Sequence, residues 1–361
     1  MLETIRPRTL RLEASTHCQL KCPACETTQG ITKEKLGSGF LKLEDFKKIV
    51  DENPWIAHIE LSNWGEIFLN PDIIGIMEYA YEKNVALTAS NGANLNTVKP
   101  AVLEAIVKYK FRHINCSIDG ASQEIYQMYR VNGNFDRVIE NVKTINQYKK
   151  EYGTEFPFLN WQFVIFGHNE HELETAQEMA QSLNMKFKPK LSWDEKISPV
   201  KNAELVKRIT KLNAASRSEY YEKNETGYMQ KPICGQLWTG PQINWDGRIL
   251  GCCFNQWGDF GNAFESGLES GLNNEKINYA RQMLLGKAEP QEGIPCTTCG
   301  HYKRMQEKEN WLSESEVGQT KAPFYKKLAY RLGLGRLAIY ITNHSRLGEK
   351  IFLKYFNPLT R

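Results

Sequence analysis

Between residue 9 and about residue 193, short runs of apolar and β-branched residues alternate with longer stretches whose apolar positions recur every three or four residues. The short runs predict strands at Thr9–Ser15, His58–Asn63, Ala86–Ser90, His113–Asp119, Asn160–Phe166 and Met185–Trp193. The longer stretches predict helices at Lys42–Glu52, Asp72–Lys83, Thr97–Lys110, Phe135–Glu151 and Glu170–Leu183. Strands separated by helices of that length form parallel βαβ units, which makes the fold class α/β. Six such units are too few to close an eight-stranded barrel, so an open, partial (β/α)6 barrel is expected. In folds of this type the chemistry gathers at the carboxyl ends of the strands.

The pattern changes after Trp193. Residues 194–232 are polar and charged, with one helical stretch at Ala203–Asn213, and read as a linker or lid. Residues 233–315 are rich in Gly, Pro, Trp and Cys, as expected of a small metal-stapled domain. Within them Trp245-Asp246-Gly247-Arg248 reads as a hairpin turn. Residues 316–361 form a tail expected to be helical. The chain therefore divides into a core at 1–193, the linker or lid, a cysteine-bearing domain and this tail.

With 361 residues, 41% hydrophobic and 24% charged, the chain can bury a sizeable core. Its net charge of +4 is too slight to imply a nucleic-acid partner. The excess is local: Glu316 to Arg361 holds nine basic and two acidic residues, +7 net, leaving −3 for everything before it. No apolar run approaches the roughly 20 residues that a bilayer requires, and the charged start Met1–Arg8 does not resemble a secretion signal. The expected address is cytoplasmic, where disulfides are rare. The nine cysteines then need another role, and their clustering points to metal.

Cys18-Gln-Leu-Lys-Cys22-Pro-Ala-Cys25 places three thiols on one short loop directly after the first strand. Three thiolates can hold three irons of a cubane, and no fourth cysteine lies nearby. A protein that supplied all four ligands would make an electron-transfer cluster, whereas an open iron leaves a place for a substrate or cofactor. A structural zinc site of Cys3His type using His17 is the alternative.

A C-x3-C-x2-C loop in this position resembles the radical SAM superfamily. The resemblance implies a [4Fe-4S] cluster on Cys18, Cys22 and Cys25. Its open iron would bind the amino and carboxylate groups of S-adenosylmethionine, and one electron would cleave the sulfonium to a 5′-deoxyadenosyl radical that takes hydrogen from a substrate. Further motifs sit in the family's order at successive strand ends. Ser62-Asn63-Trp64-Gly65-Glu66 is similar to the glycine-glutamate motif, with Gly65 admitting the cofactor and Glu66 accepting from its ammonium group. Ser90-Asn91-Gly92 resembles the Thr-Asn-Gly element, and Cys116-Ser117-Ile118-Asp119 the Ser-x-Asp element, with Ser117 near the ribose. Tyr129-Arg130 resembles a pair whose arginine, Arg130, binds the cofactor carboxylate. Ala24 stands where the family often has an aromatic residue, and Trp64 and Ile67 replace the usual Gly and Pro, departures that remove no ligand.

Cys234, then Gly247, Cys252 and Cys296-x2-Cys299, is similar to the SPASM and twitch extensions of this superfamily. Four cysteines suit one further cluster, held by Cys234, Cys252, Cys296 and Cys299, with a zinc ribbon as the alternative. Cys253 is then a spare thiol. It either packs as a small hydrophobe or donates a hydrogen atom to a substrate radical, a role for which Cys116 is the rival.

The function implied is a radical SAM oxidoreductase or epimerase-type enzyme that draws electrons from a flavodoxin- or ferredoxin-type donor. With only 17 residues before Cys18, no leader-binding domain precedes the core, which favours a small-molecule or glycan substrate over a ribosomally made peptide. An iron-sulfur electron-transfer protein that does not cleave S-adenosylmethionine is the rival from another class. In the tail, Phe324–Leu332 and Glu349–Phe356 mix bulky apolar residues with Lys and Arg. A helical pair packed on the barrel with a solvated basic face is the preferred reading there, and peripheral membrane contact the other.

Overall fold

A computed structural model of the chain describes residues 4–225, 227–228, 230–317 and 334–350. Six strands follow one another through the core: β1 Thr9–Leu12, β2 His58–Glu60, β3 Ala86–Ala93, β4 His113–Ser117, β5 Phe158–Ile165 and β6 Lys186–Leu191. A seventh, β7 Gln242–Ile243, comes from the cysteine-bearing region. All pair in parallel, in the order β6-β5-β4-β3-β2-β1-β7, so the sheet is open and the expected partial barrel is what forms. Every residue of β4 and of β5 is buried, as befits central strands covered on both faces.

The helices are α1 Ile31–Leu36, α2 Leu43–Glu52, α3 Ile73–Glu82, α4 Pro100–Lys108, α5 Gln123–Tyr129, α6 Phe135–Tyr152 and α7 Leu173–Ser182. After the sheet come α8 Ala203–Thr210, α9 Arg217–Asn224, α10 Gln230–Cys234, α11 Gln236–Thr239, α12 Ala263–Ser266, α13 Leu268–Gly271, α14 Glu275–Leu284, α15 Gly300–Glu307 and α16 Leu334–His344. Local signals set several ends. Pro100 opens α4, three residues later than the apolar period suggested, because proline is pre-set for a first helical turn. Asn134 caps α6 by accepting from the Arg137 amide, and Gly153 closes it in a left-handed conformation.

Three features depart from the pattern reading. The sheet has seven strands, because β7 pairs Gln242 and Ile243 with Arg11 and Leu12 of β1. Residues 194–232 carry α9 as well as α8, with Ser216 capping α9. Helices α1 and α5 arise where no element was predicted, since each spans fewer than two full apolar periods.

The tail closes the opposite end of the barrel from the strands' carboxyl ends. Arg336 of α16 donates to the carbonyls of Val50 (2.6 Å) and Ile56 (2.8 Å), just before β2. Glu349 accepts from Lys110 (3.0 Å) and Thr154 (2.8 Å), before β4 and β5. The segment Phe324–Leu332 lies outside the described residues, as does Glu349–Phe356 beyond Lys350. Among the described residues no helix is long and apolar enough to cross a membrane.

The cysteine-bearing region docks through the hairpin that β7 begins. Ile243 and Ile249 bridge across the turn at Gly247, as Trp245–Arg248 predicted. Trp245 then reaches back to the core: its indole N–H donates to the Leu36 carbonyl (3.1 Å), and Asn244 donates to the same oxygen (3.0 Å). Trp245→Ala removes this half-buried clamp, a loss of about 2–4 kcal/mol on the scale of large-to-small aromatic substitutions. The first thermal transition of the anaerobically reconstituted protein should fall by several degrees; an unchanged transition would mean that β1–β7 pairing alone holds the two parts together.

Candidate active site

At the carboxyl ends of the strands lies a cavity of about 290 Å³. Cys18, Cys22 and Cys25 all line it, and the backbone turns tightly between the last two, with the Cys25 amide donating to the Cys22 carbonyl (3.0 Å). Two side chains aim donors at these sulfurs. Asn94 Nδ2 stands 3.8 Å from Cys18 Sγ, and Arg130 Nη1 stands 3.6 Å from Cys22 Sγ. Burial drives the Cys18 thiol up to about 12, reinforced by the charge of Glu66 and of the other two cysteines. Three thiolates therefore cannot coexist here without a cationic centre, and the donors from Asn94 and Arg130 suit thiolate ligands of a metal cluster. His17 is turned elsewhere: its ring stacks on Phe40 and Nε2 meets the Ser38 hydroxyl (3.2 Å).

The strand-end motifs meet around the same cavity. Gly65 is where the loop after β2 crosses β1, and a Cβ there would overlap the carbonyls of Ser15 and His17. Its turn is held by Glu13, which accepts from the amides of Trp64 (3.1 Å) and Gly65 (3.4 Å). Glu66 lines the cavity with one carboxylate oxygen accepting from the Asn94 amide (2.6 Å) and the other from Phe68 (3.2 Å). Burial raises its carboxyl to about 7 against these two bonds and the charge of Arg130. In β3 the register shifts between Ala89 and Ala93, so Ser90-Asn91-Gly92 forms a bulge. The hydroxyl of Ser62 accepts from the amides of Asn91 (3.1 Å) and Gly92 (3.3 Å), and φ of 140° at Gly92 admits the Ser117 side chain against it.

The sequence-predicted cofactor residues divide accordingly. Gly65, Glu66, Asn91, Ser117 and Arg130 come together on the cavity wall. Ser90 does not: its amide donates to Glu60 (2.7 Å) and its hydroxyl faces His113 (3.3 Å), inside the sheet. Arg130 is partly engaged, with Nε on Asp119 at 2.6 Å and Nη1 on Cys22, which leaves Nη2 as the nitrogen without a partner among the described residues.

Cys234 ends α10, Cys252 follows the hairpin, and Cys296 and Cys299 sit on a 3-10 turn that opens α15. Burial and mutual repulsion hold the Cys234, Cys252 and Cys296 thiols above their ordinary range, so the four form one electrostatic neighbourhood. Among the described residues no three His, Cys, Asp or Glu side chains converge as a single ion would need. Cys253 is half-buried beside this group: its amide donates to Gln236 (2.7 Å), whose own amide group donates to Sγ (3.5 Å). Asn63, from the loop after β2, donates to the Cys253 carbonyl (2.9 Å) and so ties the two cysteine regions together. Cys116, on β4, is packed in the core.

Sequence reading missed several residues of the wall, among them Asn94 just beyond β3, Lys190 near the end of β6, and Arg217, first in α9. No short motif marks any of the three.

A profile of the radical SAM superfamily matches residues 12–180, and one described as an iron-sulfur cluster-binding domain, SPASM, matches residues 234–300. Mycofactocin maturase MftC of Mycobacterium tuberculosis is 25% identical over 142 residues, 38% of this chain and 34% of that protein. The match thus spans about a third of that relative's length. Among solved structures, Streptococcus suis SuiB bound to S-adenosylmethionine is similar at TM-score 0.59 and 16% identity, over 82% of this chain and 71% of that one. Native anSMEcpe with bound AdoMet is similar at 0.55 and 14%, over 92% and 100%. At these identities the likeness is one of fold. The family profiles and the three-thiol cavity agree: the chain carries a radical SAM domain at residues 12–180 and an iron-sulfur SPASM domain at residues 234–300, and the cofactors that go with these domains are S-adenosylmethionine, a [4Fe-4S] cluster and an auxiliary cluster.

Proposed function

We propose that this radical SAM enzyme takes a hydrogen atom from a peptide substrate held between the strand ends and the SPASM-type domain. The observation that carries the catalytic part is the single cavity that joins Cys18, Cys22 and Cys25 to Glu66, Asn91, Ser117 and Arg130. When bound there, the cluster and S-adenosylmethionine supply the 5′-deoxyadenosyl radical. The chain's own residues do the rest. Glu66 would accept from the cofactor's amino group, Nη2 of Arg130 would take its carboxylate, and Ser117 and Asn91 would face its ribose. Asn94 and Arg130 hold the thiolates. Cys234, Cys252, Cys296 and Cys299 hold the auxiliary cluster, and a flavodoxin- or ferredoxin-type protein delivers the electrons.

The peptide reading is supported by the relatives. One is named a maturase, SuiB has been solved bound to the precursor peptide SuiA, and anSMEcpe with the Cp18Cys peptide. A small-molecule or glycan substrate is the second reading.

Reconstituted enzyme with dithionite should form 5′-deoxyadenosine from S-adenosylmethionine, and Cys22→Ala should form none. A fraction of the source organism's extract that raises this yield should lose the effect after protease treatment. Persistence of the effect would move the substrate to the small-molecule class.

The raised carboxyl of Glu66 gives a pH signature. With its pKa near 7, the ionised fraction climbs from about a tenth at pH 6 to about nine tenths at pH 8, so affinity for S-adenosylmethionine should rise up to about tenfold over that range. Calorimetry should show the rise flattened in Glu66→Gln; an unflattened rise would remove Glu66 from the contact with the cofactor's amino group.

Cys253 is proposed as hydrogen-atom donor to the substrate radical. Its S–H bond breaks as the substrate C–H bond forms, and one electron from the same donor protein with one solvent proton restores the thiol. Cys253→Ala should leave 5′-deoxyadenosine formation intact while changing the product's stereochemistry or deuterium content. Unchanged product would assign Cys253 to packing.

A further inference from the structure

Two cations besides Arg130, Lys190 and Arg217, form part of the cavity's wall. Lys190 stands near the carboxyl end of β6, the edge strand farthest from β7, and Arg217 opens α9 in the segment that follows. Arg217 is fixed in place. Its Nε donates to the Leu191 carbonyl (3.2 Å), one residue from Lys190, and its guanidinium lies 4.9 Å over the Tyr228 ring. Those contacts spend one nitrogen and one face, leaving the paired terminal nitrogens for a planar acceptor.

Neither cation has an ion-pair partner among the described residues. Burial pushes the Lys190 ammonium down to about 8, with Lys188 and Arg217 pushing the same way and Asp119 and Cys253 against them. Burial likewise lowers Arg217, against Tyr228 and Glu195. The acids in range are committed: Asp119 binds Arg130 at 2.6 Å, and Glu195 accepts from the Ser218 amide at 2.9 Å. Two half-buried cations that act on one another and have no counter-charge among the described residues carry a free-energy cost that a bound anion would offset.

We propose that Lys190 and Arg217 form an oxyanion subsite that recognises a carboxylate or phosphate on the substrate and so positions the reacting C–H bond. This rests on the function proposed above and adds the substrate's charge to it. Arg130, fixed by Asp119 beside Cys22, is the cation left for the cofactor's own carboxylate. The exposed indole of Trp193, anchored by a 3.3 Å bond from Nε1 to the Ala24 carbonyl, marks the rim beside them and provides a signal.

The test uses unreduced holoenzyme saturated with S-adenosylmethionine, titrated with glutarate as the carboxylate probe and inorganic pyrophosphate as the phosphate probe, read by tryptophan fluorescence and calorimetry. At least one probe should bind the wild type and weaken tenfold or more in Lys190→Gln and in Arg217→Gln, while Lys190→Arg retains binding within about threefold. Iron content and the visible spectrum of each variant establish that it has folded. Glutarate binding lost in the variants supports the subsite with an acidic peptide as its source, and pyrophosphate binding lost supports it with a phosphorylated sugar or nucleotide. Binding of neither probe, or equal binding in wild type and both Gln variants, overturns the subsite. Formation of 5′-deoxyadenosine by the wild type is scored separately, so loss of the subsite with that activity present leaves the proposed function standing.

Discussion

Four buried carboxylates step across the sheet, and each fastens the loop of one strand to the next. Glu13, just after β1, accepts from the Trp64 and Gly65 amides after β2. Glu60, at the end of β2, accepts from Ser62 (2.5 Å), Thr88 (2.5 Å) and the Ser90 amide on β3. Glu66 accepts from the Asn94 amide beyond β3, and Asp119, after β4, accepts from the Val164 amide on β5 (2.7 Å). A buried carboxylate is tolerable only when its oxygens are filled by donors, so the loops cannot drift without exposing an unpaired acceptor. Active-site loops that would otherwise be mobile are thereby held in register with the strands.

Glu13, Glu60 and Glu66 do not titrate alike. Burial raises Glu13 to about 8 and Glu66 to about 7 against the amides that each accepts from. Glu60 is equally buried, yet Arg11 together with the donors from Ser62, Thr88 and Ser90 holds it below its ordinary range. The difference follows from the number and charge of the donors. Glu60 is a fixed anion inside the sheet, whereas Glu66 faces the cavity and titrates near neutrality. Arg130 belongs to the same scheme, since its bonds to Asp119 and Cys22 join the last carboxylate to the cluster loop.

Much of this was legible in the sequence, because chemistry at strand ends leaves short motifs in a fixed order. The alternation of strand and helix gave the open barrel, and Cys18, Cys22, Cys25, Glu66 and Arg130 stand together as their positions after successive strands implied. Ser90 was misplaced because the bulge that ends β3 turns alternate residues inward, and a bulge has no clear signature in one sequence. Lys190 and Arg217 were not visible at all. They lie on different elements, and an isolated Lys or Arg in a polar stretch looks like solvated surface until the fold buries it. The pairing of β7 with β1 was equally hidden, since a two-residue strand carries no periodicity.

That short strand decides how the two cysteine regions meet. By extending the sheet beyond β1, β7 sets the hairpin after it against α1, where Asn244 and Trp245 meet the Leu36 carbonyl. Asn63, in the loop that carries Gly65, then grips the Cys253 carbonyl just beyond that hairpin. The charges of Cys253 and Arg217 both bear on Lys190, so the cysteine-bearing region and α9 meet at the end of β6. A substrate bound as proposed would meet core strands, the segment after them and the SPASM-type domain at once. Its orientation would then be set by the same sheet that carries Cys18, Cys22 and Cys25, and the distance between radical and target would be a property of strand register rather than of loop flexibility.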